Sequence, residues 1–239
     1  MSPRVSVIIP VYNEAASLPL VIDEIPRELV DEILVVDNAS TDQSAELARR
    51  AGARVIHESE RGYGSACLAG VAATSGFDIL VFLDGDHSDY PEDLRKLLPP
   101  ILDGNMDLVV GSRMIEKESR RALLPQARFG NWLATCLMNF LFGIRCSDLG
   151  PFRAIRRDSL QSLAMQDRDF GWTVEMQLRA KLAGLRVAEV PVRYRARIGR
   201  SKITGTLKGT LLAGYKILKT IISYRLFPPK MASRQHFGG

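Results

Sequence analysis

Short apolar runs alternate with segments of helical spacing along this chain, a pattern that predicts strands connected by helices. Strands are predicted at residues 5–9, 33–36, 54–57, 79–83, 107–110 and 187–190, with a strand-like segment at 148–155. Helices are predicted at residues 17–25, 41–50, 64–74, 173–183, ahead of Pro99 and up to about residue 164. This alternation predicts an α/β fold in which helices cover both faces of a mostly parallel central sheet.

The predicted strand 79–83 runs directly into Asp84, Gly85 and Asp86. In an open α/β sheet, ligands bind outside the carboxyl ends of the strands, so these two carboxylates lie where a ligand would. Carboxylates this close repel each other unless a cation lies between them, and Mg²⁺ takes oxygen ligands while leaving room for substrate phosphates. The functional interpretation is a metal–diphosphate site. The structural interpretation is an acidic loop in which Asp89 caps the next helix, and both can hold.

Three other predicted strands end in polar or special residues, at positions 10–14, 37–38 and 112–113, and we expect all four ends to share one edge of the sheet. Ser40 is predicted to cap the second helix. An acidic residue after the second strand suits a ribose hydroxyl or a base edge. The chain has no GxGxxG after its first strand and no GxxxxGK[ST], so phosphates would be held by a metal ion and by Arg or Lys.

Charge is distributed unevenly along the 239 residues. Residues 1–112 carry 8 Lys and Arg against 19 Asp and Glu, whereas residues 113–239 carry 24 against 8. The second half is therefore expected to meet an anionic partner: a phosphate, a nucleic acid or a lipid surface. Nucleic acid is disfavoured, because few aromatic residues interrupt the basic runs.

The three cysteines lack zinc-type or CxxC spacing, so neither a disulfide scaffold nor a structural zinc site is expected. The N-terminus shows no secretory signal pattern, and no apolar run reaches the ~20 residues that span a bilayer. A cytoplasmic protein is expected, with peripheral contact to the inner membrane face as a further expectation.

The second half contains three segments of unusual composition. Residues 113–128 are predicted to form a mobile basic loop, and residues 129–144 a helix whose polar positions Asn131, Thr135 and Asn139 form one stripe. At ~1.5 Å per residue that helix is too short to cross a ~30 Å hydrocarbon core. The third segment holds five cations, which predict either a phosphate clamp or a solvated face: Arg193, Arg195, Arg197, Arg200 and Lys202.

Residues 204–224 are predicted to form an amphipathic helix, with Lys208, Lys216, Lys219 and Ser223 in one narrow arc. Two interpretations stay open: a membrane-surface helix, or a core-packing helix whose lysines face water. Residues 226–239 are predicted to form a flexible tail.

Seven sequence motifs occur together in one order: IIPVYNE, VVDN, LDGD, GSR, DLGPFRAI, GWTVEM and IGRSK. In this combination the chain resembles the inverting family 2 glycosyltransferases of the GT-A fold, over residues 4–225. The branch it looks most like is the dolichyl- or polyprenyl-phosphate mannose and glucose synthases. The resemblance implies one GT-A domain over residues 1–225, with a nucleotide-binding half at 1–113 and an acceptor half at 114–225.

The resemblance also implies roles for individual residues. The nucleotide of a nucleotide-diphosphate sugar would be held by Pro10, Tyr12, Glu14 and Asp37. Mg²⁺ or Mn²⁺ and the diphosphate would be held by Asp84, Gly85 and Asp86, with both aspartates as metal ligands. The phosphates would be engaged by Arg113, Arg197 and Lys202, and Asp86 and Arg113 are the predicted catalytic side chains. Relatives often carry an acid at the position of Asn38 and a Gln at that of Ser88, so the metal shell is expected to differ.

The nature of the acceptor decides whether a general base is needed. A lipid monophosphate is already an anionic nucleophile and needs only cations to position it, for which the candidates are Arg120, Arg121, Arg128 and Arg153. A hydroxyl acceptor needs a carboxylate to take its proton, for which Glu175 is the candidate; the alternative for Glu175 is a surface ion pair with Arg179. The rival classes are a nucleotidyltransferase and a non-catalytic basic module that binds membranes or nucleic acid.

Overall fold

The computed structural model describes residues 2–199 and 207–228 of the chain. Within these residues seven strands form one sheet: β1 (Val5–Val11), β2 (Glu32–Asp37), β3 (Arg54–His57), β4 (Ile79–Phe82), β5 (Leu108–Ser112), β6 (Arg153–Arg156) and β7 (Val187–Pro191). They lie side by side in the order β3-β2-β1-β4-β6-β5-β7. The predicted α/β fold is therefore confirmed.

Strand direction places most carboxyl ends on one edge of the sheet. β1 pairs in parallel with β2 and β4, β2 pairs in parallel with β3, and β5 pairs in parallel with β7. Only β6, among the described strands, runs antiparallel to its neighbours β4 and β5. Because β6 is reversed with respect to both, β4 and β5 point the same way, and the polar residues after β1, β2, β4 and β5 share an edge.

Helices connect the strands and complete the layers. In the described ranges they are α1 (Leu18–Asp23), α2 (Ser44–Arg50), α3 (Tyr63–Ala73), α4 (Leu94–Leu97), α5 (Pro99–Leu102), α6 (Lys117–Ala122), α7 (Pro125–Phe142), α8 (Arg157–Leu163), α9 (Trp172–Leu182) and α10 (Leu207–Leu226). The hydropathy of the described helices leaves none long and apolar enough to cross a membrane.

Alternation along the strands builds a core on each face of the sheet. In β1, Val7 and Ile9 pack with α1, α2, α4 and α5, whereas Ile8 packs with α3, α8 and α9 on the other face. A strand whose side chains are apolar on both faces can be buried on both sides. These strands therefore appear in the sequence as continuous apolar runs. A third cluster joins α7, α9 and α10, where Met138, Leu178 and Ile221 are buried together.

The predicted basic loop at 113–128 is wrong. Residues 117–122 form α6, and α7 begins at Pro125, the first helical position at which the fixed φ of proline suits a helix. The exposed arginines of this segment hid its periodicity, because an exposed helix has few apolar positions to mark its turns. Arg121 and Arg128 are exposed on these helices.

Two predicted helix caps are also wrong. α2 begins at Ser44, and the Ser40 hydroxyl instead accepts a hydrogen bond from the backbone N–H of Asn13 at 3.0 Å. Asp89 does not cap a helix; it is buried and pairs through its backbone with Tyr194 in an isolated β-bridge. The Ser40 side chain, which could have capped locally, is thus used by a distant segment.

The described members of the predicted lysine arc are at least partly exposed. Lys216 Nζ lies 3.2 Å from Asp167 Oδ2, while Lys219 and Ser223 are exposed. The side chain of Lys208 is outside the described residues, as are residues 229–239 of the predicted tail. The outward side of α10 also carries exposed apolar residues: Leu212, Ile222 and Leu226.

Close packing of α3 on the sheet yields a first prediction. A Cβ at Gly70 would lie 2.5 Å from Ile8 Cγ2, so Gly70→Ala should overpack the core and lower the free energy of unfolding by about 1–3 kcal/mol in urea denaturation. Gly130→Ala in α7 is the matched control, since its Cβ would meet nothing within 4 Å. The control should gain up to about 1 kcal/mol from helix propensity. Equal effects of the two changes would contradict close packing at Gly70.

Candidate active site

A cavity of about 370 Å³ opens at the carboxyl edge of β1, β2 and β4. Seven of the residues predicted for the site line it: Pro10, Tyr12, Glu14, Asp84, Gly85, Asp86 and Arg197. It is also lined by residues for which no role was predicted, among them Asn38, Arg61, Gly62, Tyr63, Asp169 and Phe170. The edge predicted from strand ends is thus a real concave site.

Acidic groups on one side of the cavity are held in place by Ser88 and Arg197. Asp86 Oδ1 accepts hydrogen bonds from the backbone N–H of Ser88 at 2.9 Å and from its hydroxyl at 2.5 Å. The guanidinium of Arg197 bridges Asp86 Oδ2 at 2.9 Å and Glu14 Oε1 at 3.3 Å. Burial, with the charge of Asp86 added to it, raises the pKa of Asp84 above its usual range. A second cation near Asp84 would relieve that cost.

These residues fit a hard divalent cation. Asp84 and Asp86 supply carboxylate oxygens on one short turn, and the guanidinium on Asp86 shows that the position accepts positive charge. The described residues contain no cluster of three or more His, Cys, Asp or Glu side chains able to hold a metal by themselves. Mg²⁺ and similar ions commonly take one or two carboxylates and complete their shell with substrate phosphates and water. The donor set therefore suits a metal that binds together with a diphosphate.

Another part of the cavity lining carries an arginine stacked on a tyrosine ring and the side-chain amide of Asn38. The guanidinium carbon of Arg61 lies 3.3 Å from the centre of the Tyr12 ring, and Asn38 is tied to the 58–62 loop through Glu58, Glu60 and Gly62. Arginine stacked on an aromatic ring offers a flat surface that a planar base can extend. The sequence predicts only a helix over residues 64–74 here, and Gly62, which precedes α3, is the signal that marked this wall.

Two predicted site residues lie beside the cavity rather than on its lining. Asp37 Oδ1 accepts a hydrogen bond from the backbone N–H of Ser40 at 3.1 Å, and its Oδ2 lies 3.2 Å from His57 Nδ1. Arg113 makes a bidentate pair with the buried Asp148 at 2.7 and 2.8 Å. Lys202 and Arg200 lie outside the described residues, so their predicted roles stay predictions.

Arg153 is not available to position an acceptor, because it is completely buried. Its guanidinium donates to the carbonyls of Leu149, Gly150 and Thr173, and burial lowers its pKa to about 10. The side chain holds the turn before β6 against α9. This predicted candidate is wrong, and the signal for burial was its place inside an apolar segment that forms a central strand.

Glu175 does not line the cavity either. Its carboxylate is buried and forms the expected pair with Arg179 at 2.9 Å, although that pair is buried rather than on the surface. It also accepts hydrogen bonds from the backbone N–H groups of Gln166 and Asp167. These contacts bring Glu175 to the loop that carries Asp169 and Phe170, not to the cavity itself.

Asp89 is a buried carboxylate beyond the two cavity aspartates. Neither of its side-chain oxygens has a hydrogen-bond partner among the described residues. Burial raises the pKa of Asp89 well above its usual range, and the charge of Asp84 adds to the rise while Arg113 opposes it. A carboxyl group in such surroundings is harder to ionise than one in water.

Similarity to known proteins agrees with this geometry. The family model described as "Glycosyl transferase family 2" matches residues 6–164. An undecaprenyl-phosphate mannosyltransferase of Micrococcus luteus is 33% identical over 86% of this chain and 90% of its own length. A dolichyl-phosphate hexose transferase of Haloferax volcanii is 33% identical over 92% of this chain and 95% of its own length.

A solved structure gives the same fold. Glucosyl-3-phosphoglycerate synthase from Mycobacterium tuberculosis, in complex with Mn²⁺, uridine-diphosphate-glucose and phosphoglyceric acid, is 25% identical with a TM-score of 0.74. The match covers 95% of this chain and 82% of that chain. The fold is therefore the GT-A fold of glycosyltransferases, as the motifs predicted.

The raised pKa of Asp89 gives a prediction about stability and pH. Because its pKa is raised in the folded protein, folding takes up a proton above the unfolded value of about 4, and stability falls as pH rises from there towards the raised pKa. Asp89→Asn should flatten this fall by up to about 1.4 kcal/mol per pH unit. Urea denaturation from pH 5 to 8 measures it, and the exposed Asp103→Asn is the control, expected to keep the wild-type slope. An unchanged slope in Asp89→Asn would show that Asp89 is ionised in the native protein.

Proposed function

Because the chain belongs to glycosyl transferase family 2, we propose that it moves a hexose from a nucleotide-diphosphate sugar to a lipid phosphate of the polyprenyl type, with inversion at the anomeric carbon. The observation that carries the donor half of this proposal is the convergence of Glu14, Asp84, Asp86 and Arg197 in one cavity at the carboxyl edge of the sheet. Paired carboxylates beside an arginine suit a diphosphate that arrives with a divalent cation.

The residues of the cavity divide the donor between them. Tyr12 and Arg61 form the flat surface for the base, and Asn38 lies at the end of β2, close to where a ribose would sit. Asp84 and Asp86 would hold Mg²⁺ or Mn²⁺, which when bound stabilises the negative charge that builds on the leaving diphosphate. Ser88 keeps Asp86 oriented, which gives this position a use although its side chain is short. Arg197 exchanges its carboxylate partners for phosphate oxygens as the donor enters.

A lipid phosphate needs no general base. Its oxygen is already anionic and attacks the anomeric carbon once cations hold it in line. The environment of Glu175 supports this interpretation, because its carboxylate accepts several hydrogen bonds away from the cavity. Arg120 and the exposed Arg121 and Arg128 remain the candidates that position the acceptor phosphate, now on helices rather than on a loop.

Exposed apolar residues on two packed helices support a membrane-borne acceptor. On α7, Trp132 is 56% exposed and Phe140 is 85% exposed, and the neighbouring α10 exposes Leu212, Ile222 and Leu226. Arg128, Lys219 and Arg225 are exposed on the same helices. Aromatic and aliphatic residues beside cations are the composition of a helix that lies on an anionic membrane. We therefore propose peripheral membrane contact through α7 and α10.

The donor half is tested by Asp86→Asn, which removes a charge but not volume. We expect sugar transfer and donor hydrolysis to fall by at least about 100-fold, because the substitution weakens the charge stabilisation of the leaving diphosphate. A thermal-shift panel of UDP-, GDP- and dTDP-sugars, with and without Mn²⁺, first identifies the donor. A ligand at ~100 times its dissociation constant adds ~2.7 kcal/mol to the free energy of unfolding. Asp103→Asn is the matched control. Full activity in a folded Asp86→Asn protein would refute the metal–diphosphate site.

The acceptor half is tested by Trp132→Gln combined with Phe140→Gln. Wild-type protein should co-sediment with anionic vesicles and be released as ionic strength rises. The double variant should bind vesicles at least about tenfold more weakly and lose lipid-linked product, while donor hydrolysis without vesicles stays unchanged. Leu102→Gln, an exposed apolar position on α5, is the matched control.

Failure of the wild-type protein to bind vesicles at any ionic strength would favour a soluble acceptor. The crystallised complex that contains phosphoglyceric acid makes a small phosphorylated acid the first soluble acceptor to assay.

A further inference from the structure

The loop at residues 166–170 forms one wall of the donor cavity. Asp169 and Phe170 line the cavity directly. The carbonyl of Arg168 accepts a hydrogen bond from the backbone N–H of Ser65 at 2.9 Å, and a Cβ at Gly64 would lie 2.0 Å from the carbonyl oxygen of Asp167. The loop is thus pressed against the first turn of α3, next to Tyr63. Its position decides how wide the cavity is on that side.

The carboxylate of Glu175 holds this loop through hydrogen bonds to its backbone. Its carboxylate accepts the backbone N–H groups of Gln166 and Asp167 at 2.7–3.2 Å, together with Nε of Arg179 at 2.9 Å. The hydroxyl of Tyr224, on α10, donates to Glu175 Oε1 at 2.8 Å and accepts from Arg179 Nε at 2.6 Å. Burial, with the neighbouring Glu175 carboxylate, raises the pKa of Tyr224, so its hydroxyl keeps the proton that it donates.

A second contact joins α10 to the same loop. Lys216 Nζ lies 3.2 Å from Asp167 Oδ2, while Asp167 Oδ1 accepts the backbone N–H groups of Asp169 at 2.8 Å and Gly171 at 3.1 Å. Thr220 lies between these contacts, and a Cβ at Gly171 would come within 3.0 Å of its hydroxyl. Lys216, Thr220 and Tyr224 are four residues apart and therefore form one face of the helix.

We propose that Glu175, Tyr224 and Lys216 are positioning residues through which α10 sets the 166–170 wall of the donor cavity. This inference rests on the proposed function, because it assigns the nucleotide sugar to that cavity. It replaces the general-base role considered for Glu175 with a structural one. Loosening α10 should widen the cavity and weaken donor binding, while the reacting groups near Asp86 stay in place.

Conservative variants of α10 test the inference. Tyr224→Phe removes only the hydroxyl, and Lys216→Met removes only the charge. We expect each to raise the KM for the nucleotide sugar, assayed with GDP-mannose and with UDP-glucose in Mn²⁺, by about five- to tenfold, with kcat changed less than about threefold. Because both contacts hold the same loop, the combined variant should raise KM by less than the product of the two single effects.

Matched controls lie on nearby surfaces. Tyr215→Phe removes a hydroxyl from an exposed tyrosine of the same helix, and Lys181→Met removes an exposed lysine at the end of α9. Both should keep the wild-type KM and kcat. If Tyr224→Phe and Lys216→Met also kept the wild-type KM and kcat, the inference would be overturned.

Glu175→Gln separates a positioning role from a general-base role. A positioning residue should show a raised donor KM with kcat largely kept, and the pH profile of kcat should keep its shape. A loss of kcat of about 1,000-fold with an unchanged KM would identify a general base and overturn the inference.

Hydrogen exchange tests the coupling without any turnover. Amides of residues 166–171 should exchange at least about fivefold faster in Tyr224→Phe than in wild type, with those of β1 and β4 unchanged. Unchanged exchange would overturn the inference. Because this readout needs no substrate, it can succeed even where no nucleotide sugar is a donor, a result that would refute only the proposed function.

Discussion

Charge compensation at one edge of the sheet is the constraint on which the rest of this structure depends. Parallel strands bring Glu14, Asp84 and Asp86 to the same edge, where burial and the charge of Asp86 raise the pKa of Asp84. The compensating arginine, Arg197, comes from the segment after β7, more than a hundred residues further along the chain. One cation from the basic second half of the sequence therefore pairs with carboxylates from the acidic first half.

Local periodicity was enough to predict most strands of the sheet and the edge at which the cavity opens. The apolar runs of β1 and β4 are buried on both faces, and the residues that follow them, Glu14, Asp84 and Asp86, line the cavity as expected. The carboxyl ends of parallel strands need no long-range information to be placed together, because one rule of topology aligns them. Exposed helices have a weaker hydrophobic periodicity, because few of their positions are apolar. The sequence therefore predicts a loop where α6 and the start of α7 form.

Partners far apart in sequence could not be predicted. Glu175 and Tyr224 are 49 residues apart, and Arg113 and Asp148 are 35 apart, so no spacing rule links either pair. From sequence alone a charged side chain is predicted to be exposed, because its partner in the fold is not visible there. The prediction for Arg153, which is buried, was wrong for the same reason. The predicted cap at Asp89 is wrong because the fold buries this segment against Tyr194, a residue far away in the sequence.

The reversed strand β6 has a consequence for how the chain folds during synthesis. β6 lies between β4 and β5, yet β5 precedes it in sequence, so β5 and the edge of β4 wait for residues 153–156 before they are joined. Until then the nascent chain exposes the backbone groups of two strand edges, which are templates for association with other chains. Residues 1–113 therefore do not join β4 to β5 by themselves, and about two thirds of the 239 residues must be synthesised before β6 can pair with both strands.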